Sequence, residues 1–113
     1  MANSSRINKA PPAAVADALK RLGRNIRTAR LRRKLRIEDV ADRMGVSRFT
    51  VADLEKGKPG TSMAAYAGAL WAIGLLDQMS ELADPERDEE GKVLESARNP
   101  KQAPRRRKLD NDF

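Results

Sequence analysis

Cysteine and histidine are both missing from this 113-residue chain. Without cysteine it has no disulfide and no thiolate metal site. Without histidine it lacks the commonest general base and the commonest metal ligand. The sequence also shows no glycine-rich phosphate loop, nucleophile elbow or metal-ligand spacing, and carboxylate pairs such as Glu89–Glu90 lie in a strongly polar segment. We therefore expect no enzyme activity, no cofactor and no metal.

Long apolar runs and aromatic residues are scarce as well. No apolar stretch approaches the roughly 20 residues of a membrane span, and the polar start predicts no signal peptide, so we expect an intracellular, cytoplasmic chain. Hydrophobic residues make up 40% of the sequence and aromatic residues 4%. A chain of this length and composition supplies one modest core of Ala, Leu, Val, Ile and Met, with room for extensions but not for a second core.

Charge is unevenly distributed along the chain. Residues 1–60 contain 15 Lys/Arg and 6 Asp/Glu, a net charge of +9; residues 61–97 have a net charge of −6, and residues 98–113 one of +4. A basic first half and a basic tail favour a polyanionic partner, because neutralising phosphates releases counterions. The acidic segment at residues 61–97 indicates that the chain does not bind polyanions over its whole length.

The stretch Ile37–Gly57 predicts two short helices around a tight turn. The first helix covers Glu38–Met44, Gly45 supplies the left-handed residue that ends it, and Ser47 caps the second helix. Two helices joined by a glycine-containing turn and crossing steeply form a helix-turn-helix unit. The residues expected on its buried side are Val40, Ala41, Met44, Val46, Val51 and Leu54.

Residues 35–57 resemble the helix-turn-helix of the XRE/Cro/cI repressor family, and with flanking helices the resemblance covers about residues 20–83. The matching residues are Val40, Ala41, Gly45, Val46, Ser47, Val51, Leu54, Glu55 and Gly57. The chain departs from the family at Ile37, where a glutamine usually contacts a phosphate. The extended N-terminus, the Lys58-Pro59-Gly60 loop, the Ala-rich fourth helix and the acidic stretch before a basic tail resemble the HipB-like antitoxin branch.

The resemblance implies an all-α, five-helix, lambda-repressor-like DNA-binding domain at residues 13–83. A flexible arm would precede it at residues 1–12, and an acidic-then-basic extension would follow at residues 84–113. The implied function is a homodimeric transcriptional repressor on a double-stranded DNA operator in the bacterial cytoplasm, associated with the nucleoid. It would also be the antitoxin of a HipA-like kinase toxin. The alternatives are a stand-alone regulator, or a protein-inhibitor module whose DNA contact is secondary.

Helical periodicity predicts the elements around the central unit. The first helix should cover Ala13–Lys34 or start afresh near Arg24, because Gly23 disfavours a helix interior. The fourth helix should start after a cap at Thr61 or Ser62 and end at Ile73, and a fifth should cover Leu76–Ala83. The inward residues expected in these three helices are Leu19, Leu22, Ile26, Ala29, Met63, Tyr66, Leu70, Ile73, Leu76, Met79 and Leu82. The basic residues expected on the other faces of the first helix are Lys20, Arg21, Arg24, Arg27, Arg30, Arg32, Arg33 and Lys34.

The N-terminal residues of the second helix of such a unit contact base edges in the major groove. The predicted base-contacting residues are Ser47, Arg48, Phe49, Ala52 and Asp53. The predicted backbone-contacting residues are Arg33, Lys34, Thr50, Lys56 and Lys58. The predicted protein–protein interface residues are Trp71, Leu76 and Met79, although Trp71 has the alternative role of covering the edge of the core.

The tail from Arg98 to Lys108 has six basic residues in eleven and two prolines, so we expect no fold of its own. It either keeps the protein soluble, folds back on the acidic stretch Asp84–Glu95, or lies on DNA phosphates beside the operator. We favour the last interpretation, because a tethered basic segment finds nearby phosphates easily. The tip Leu109–Phe113 reverses the charge and is expected to touch protein.

Overall fold

The computed structural model of this chain describes residues 6–98, in which every regular element is a helix. This confirms the all-α fold class. The helices are α1 (Arg6–Lys9), α2 (Ala13–Arg32), α3 (Ile37–Met44), α4 (Arg48–Glu55), α5 (Met63–Ala72) and α6 (Glu89–Arg98), with 3₁₀ helices at Leu76–Glu81 and Pro85–Arg87. The predicted basic tail beyond Arg98, the C-terminal tip and the first five residues of the predicted arm lie outside the described residues. Within residues 6–98, no helix is both long enough and apolar enough to cross a membrane.

The chain divides into two compact units, Met1–Met79 and Ser80–Phe113. This division falls four residues before the predicted boundary at residue 83. In the first unit, α1 is a single turn inside the arm predicted to have no structure of its own. Its closing hydrogen bond runs from the Ala10 N–H to the Arg6 carbonyl oxygen at 2.7 Å, and none of its residues is buried.

The long helix α2 continues through Gly23 without a break, so the alternative of a fresh start near Arg24 is wrong. Gly23 is buried, and a Cβ atom at this position would lie 2.5 Å from the carbonyl oxygen of Glu55 and 2.7 Å from that of Leu54. The missing side chain therefore lets the end of α4 pack directly on the backbone of α2. Close packing outweighs the poor helix propensity of glycine at this position.

Gly57 makes the complementary approach just after α4. Its φ is +72°, and a Cβ atom there would lie 2.6 Å from the backbone of Leu19 and Lys20. Both the left-handed conformation and the close contact therefore require glycine. Gly23 and Gly57 together set how closely α2 and the end of α4 approach each other.

The helix-turn-helix unit forms as predicted from α3, a turn and α4. Gly45 follows α3 with φ +72°, and the Val46 N–H donates to the Ala41 carbonyl oxygen at 3.0 Å. At the start of α3, the Arg36 N–H donates to the Asp39 carboxylate at 2.8 Å, and the Arg36 side chain donates to it as well. These bonds hold the pKa of the Asp39 carboxyl below its ordinary value. They fix the start of the first helix of the pair.

α5 packs against both α3 and α4. It completes the hydrophobic core of the compact unit Met1–Met79. Ser62 caps it, because its hydroxyl accepts a hydrogen bond from the Ala65 N–H at 3.1 Å. Arg43 on α3 donates to the Ala72 carbonyl oxygen at 2.8 Å and ties the ends of α3 and α5 together. The buried hydrophobic residues are Ile26, Ala29, Val40, Ala41, Val51, Leu54, Tyr66, Ala69, Leu70, Ala72 and Ile73.

In this region the predicted inward orientation of three residues and the predicted extent of the fifth helix are wrong. Met63 was expected to face inward, but it is 64% exposed because it is the first residue of α5 and precedes the part that meets the core. The predicted fifth α-helix at Leu76–Ala83 is instead a 3₁₀ helix at Leu76–Glu81. Within it Met79 packs on the core, but Leu76 is 40% exposed, and Leu82 beyond its end is 64% exposed. Gly74, with φ +84°, follows the end of α5, and the exposed leucines of the segment after it bury too little apolar surface against the core to favour a full α-helix.

The second unit consists, in its described part, of the 3₁₀ helix Pro85–Arg87 and α6. Asp84 caps the 3₁₀ helix by accepting from the Glu86 N–H at 3.0 Å, and Lys92 on α6 pairs with Glu86 and Glu89. Val93 and Leu94, the large apolar residues of α6, are 67% and 55% exposed. α6 therefore keeps an apolar surface in contact with solvent.

Candidate nucleic-acid interface

The exposed start of α4 follows from how the helix is capped and which residues it buries. The Ser47 hydroxyl accepts a hydrogen bond from the Thr50 N–H at 3.4 Å, as predicted for a cap. Val51 and Leu54 are completely buried. Because an α-helix has 3.6 residues per turn, burying these two positions turns Phe49 to the opposite side, and Arg48, the first residue of the helix, is exposed beside the buried face. The first turn of α4 is thus presented to solvent.

Arg48 and Phe49 lie together at this exposed start. The guanidinium carbon of Arg48 is 5.3 Å from the centre of the Phe49 ring, within the range of a cation–π interaction. The Phe49 side chain is 67% exposed, which is unusual for a residue with so much apolar surface. Arg48 Nη1 also lies 3.7 Å from the Glu38 carboxylate on α3. An arginine fork and an aromatic ring are therefore held side by side.

These residues line an open depression at the meeting point of α2, α3 and α4. Its lining combines basic and apolar side chains, a combination that suits the phosphates and bases of a nucleic acid. The lining residues are Arg27, Arg30, Leu31, Leu35, Arg36, Ile37, Glu38, Arg48, Phe49 and Ala52. Arg27 and Arg36 were not among the predicted contact residues. Arg27 was assigned only to the general basic surface of the first helix, and Arg36 belonged to no predicted helix face.

A buried ion pair fixes the other end of α4. Arg30 Nε donates to Glu55 Oε2 at 2.6 Å and Nη2 donates to Oε1 at 2.9 Å, while Nη1 donates to the Leu35 carbonyl oxygen at 3.0 Å. Both side chains are at least 93% buried. The hydrogen bond to Glu55 raises the pKa of the Arg30 guanidinium further above its ordinary value. This bidentate pair connects the C-terminal end of α2 to the last residue of α4.

The prediction that Arg30 belongs to the exposed basic face is therefore wrong. Arg30 lies four residues after the buried Ile26, on the same side of the helix, so its position points it into the fold. A basic residue inside an apolar stripe was the signal for a buried partner. The sequence pattern does not predict which carboxylate pairs with Arg30, because the partner depends on where α4 crosses α2.

The other predicted base-contacting residues occupy mixed positions. Ser47 is exposed, but its hydroxyl serves as the cap, whereas Ala52 and Asp53 are half-buried. The Asp53 carboxylate lies 3.1 Å from Lys58 Nζ. Arg48 and Phe49 are therefore the predicted base-contacting residues with the largest accessible surfaces on α4.

The predicted backbone-contacting residues lie after the end of α2, after the end of α4 and within α4 itself. Arg33 and Lys34 follow the end of α2, where Arg33 Nη1 donates to the Ala29 carbonyl oxygen at 3.0 Å and Lys34 has φ +57°. Lys56 and Lys58 follow the end of α4, and both are exposed. Thr50 is half-buried, and its hydroxyl lies 3.5 Å from that of Ser47. Their contacts with DNA stay predictions.

The predicted interface residues lie on α5 and the segment that follows it. Trp71 is 58% exposed, which excludes a place within the core. Leu76 is 40% exposed, whereas Met79 packs partly against the core. α5 contains no charged residue, so its solvent-facing part presents apolar surface around Trp71.

Comparison with known families supports the helix-turn-helix interpretation. The family model of a helix-turn-helix domain matches residues 21–83. The matched range starts within α2, includes α3, α4 and α5, and covers more than half of the chain. No curated protein and no solved structure matches the chain.

Proposed function

This chain belongs to the helix-turn-helix domain family of DNA-binding regulators, and from that premise we propose that it represses transcription by occupying a pseudo-palindromic operator as a homodimer. The observation that carries the proposal is the arrangement of α4. Its first turn exposes Arg48 and Phe49, while its last residue, Glu55, is locked to α2. A rigid helix with an accessible N-terminal end suits insertion into the major groove.

The chemistry of the exposed turn indicates how bases would be recognised. The guanidinium fork of Arg48 matches the O6 and N7 acceptors of guanine. The Phe49 ring offers an apolar surface to the methyl group of thymine. Asp53 would accept from cytosine N4 if it left Lys58, or repel the backbone of mismatched sites. Together they specify a short half-site that contains at least one G·C pair.

Replacing Arg48 by Ala is expected to weaken binding to the preferred duplex by about 1–3 kcal/mol and to relax the preference at one base pair. The preferred duplex is first selected from a randomised library with the wild-type protein, and affinities are then measured by fluorescence anisotropy. The matched control is Arg24→Ala, which removes the same charge from an exposed position on α2. That control should leave the base preference unchanged. Full affinity and full discrimination in the Arg48 variant would contradict the proposed orientation of α4.

We propose that the homodimer forms through α5 and the 3₁₀ helix after it. A half-exposed tryptophan in an uncharged helix suits a protein interface, where tryptophan is enriched and charged residues are depleted. An isologous contact of this kind places two recognition helices about a twofold axis. Two copies of α4 would then face successive turns of the major groove.

Trp71→Ala should weaken self-association by about 2 kcal/mol or more, because truncating a central interface tryptophan removes a hot spot. Sedimentation equilibrium over a range of concentrations measures this change, and circular dichroism checks that the helical content is retained. The matched control is Leu31→Ala, which trims a 47% exposed apolar side chain of α2. A dimer that is unchanged by Trp71→Ala would remove α5 from the proposed interface.

We further propose that this regulator is the antitoxin of a HipA-like kinase toxin and represses its own operon from the cytoplasm, associated with the nucleoid. The support is the acidic stretch at residues 61–97, of net charge −6, and the solvent-exposed Val93 and Leu94 of α6. An acidic surface with apolar residues suits a protein partner better than DNA. We propose no catalytic activity for the chain itself.

A neighbouring reading frame for a kinase-like protein, and its co-purification with this chain, would support the antitoxin proposal. A chain that represses its target alone and captures no such kinase is the stand-alone regulator. Inhibition of a partner that survives Arg48→Ala, together with weak and unspecific DNA binding, would indicate the protein-inhibitor module instead.

A further inference from the structure

Glu38 is the acidic side chain among the residues that line the depression at the start of α4. It lies in the first turn of α3, and its carboxylate is 3.7 Å from Arg48 Nη1. An acid at a surface meant for phosphates weakens binding to any DNA, because like charges repel. Because Glu38 lies beside Arg48, the strongest candidate for base contact, we asked which function its carboxylate serves there.

The contacts of Arg48 suggest that function. One side of the guanidinium faces the Phe49 ring at 5.3 Å, and Nη1 faces Glu38. A guanidinium has five N–H donors in a planar fork, so a carboxylate at Nη1 leaves the edge formed by Nε and Nη2 for a bidentate contact. Such an edge-on contact is the one that guanine accepts through O6 and N7.

We propose that Glu38 is a positioning residue for Arg48 and thereby a determinant of DNA sequence specificity; this rests on the DNA-binding function proposed above. With Glu38 in place, Arg48 contacts guanine without leaving its carboxylate partner and loses little side-chain freedom on binding. On any other sequence Arg48 must break the ion pair to contact a phosphate, and Glu38 repels the same phosphates. Specific binding is favoured and non-specific binding is disfavoured by a single side chain.

Glu38→Gln keeps the shape of the side chain and removes its charge. Two probes are compared at several salt concentrations: the duplex selected from a randomised library and a scrambled duplex of the same length and composition. The variant should bind the scrambled duplex about threefold more tightly, since the lost interactions are those of exposed charges. It should bind the selected duplex no more tightly than the wild type does. The ratio of the two affinities should therefore fall by about threefold to fivefold.

Two further variants separate this effect from a general change of charge. Asp17→Asn makes the same change of net charge at an exposed position on α2. Asp17 lies 13 residues before Arg30, which places it roughly 20 Å from Arg30 along the helix. This variant should change the affinities for the two duplexes by the same factor and leave their ratio unchanged. In an Arg48→Ala background, Glu38→Gln should no longer alter the affinity ratio, because the side chain it positions is gone.

Thermal unfolding confirms that each variant is folded at the temperature of the binding assay. An affinity ratio that Glu38→Gln leaves unchanged would overturn the inference while leaving DNA binding intact. An equal fall of the ratio in the Arg48→Ala background would also overturn it, because the effect would not pass through Arg48. A wild-type protein that selects no duplex would overturn the proposed function, and this inference with it.

Discussion

Glu55→Ala is expected to lower the free energy of unfolding by about 3–5 kcal/mol, the largest effect we expect from a side-chain truncation in this chain. The change leaves the Arg30 guanidinium buried without the two charge-assisted bonds of 2.6 and 2.9 Å that neutralise it. Only the Leu35 carbonyl oxygen remains as its acceptor among the bonds described above. Small domains are stable by only about 5–15 kcal/mol, so this variant should be close to unfolding at ordinary temperatures.

Urea denaturation followed by circular dichroism measures this loss. The matched control is Asp53→Ala, which breaks the exposed pair with Lys58 and should cost no more than about 1 kcal/mol. The double variant Arg30→Met, Glu55→Leu removes both charges and should recover most of the stability. A loss below about 1 kcal/mol for Glu55→Ala would show that water reaches Arg30 and that the pair does not anchor α4.

Gly23→Ala is expected to destabilise the protein by about 2–3 kcal/mol, although alanine is the better helix former by about 1 kcal/mol. The added Cβ atom would lie 2.5 Å from the Glu55 carbonyl oxygen, and backbone atoms of α4 cannot move aside as a flexible side chain can. α2 and α4 must separate, which also strains the neighbouring Arg30–Glu55 pair. A loss of stability in Gly23→Ala would therefore show that close packing outweighs helix propensity at this position, and a gain would show the reverse.

Gly60→Ala is the matched control for this prediction. A Cβ atom at Gly60 meets no atom within 4 Å, and its φ lies outside the left-handed range. Its replacement should be neutral or should stabilise the protein by up to about 1 kcal/mol, because alanine restricts the unfolded chain. Thermal denaturation of both variants provides the comparison. A Gly23 variant at least as stable as the wild type would contradict the close approach of the two helices.

The sequence predicts well those features that depend on neighbouring residues. Gly45 and Ser47 mark the turn and the cap of the helix-turn-helix through backbone preferences that act within a few residues. The burial of Val51 and Leu54 follows from helical periodicity, and with it the exposure of Phe49, while Arg48 is exposed as the first residue of the helix. The centre of the candidate site is therefore predictable from local sequence pattern alone.

Features that depend on packing between distant segments were missed. The role of Gly23 becomes visible only when the end of α4 is seen against it, and the partner of Arg30 lies 25 residues away in sequence. The 3₁₀ helix Leu76–Glu81 replaced the expected α-helix for a similar reason, since Met79 packs on the core while Leu76 and the following Leu82 stay exposed. Helical periodicity predicts which face of a helix is buried, but not which residues of other segments pack against that face.

The claim that α4 presents its first turn to DNA is tested most directly by NMR with ¹⁵N-labelled protein. The probe is the duplex selected from a randomised library with the wild-type protein, added stepwise at moderate salt. The largest changes in amide chemical shift should cluster at residues 47–53 and at the first turn of α3, around Glu38. Changes concentrated in α5 or α6, with residues 47–53 unaffected by the duplex, would contradict the account.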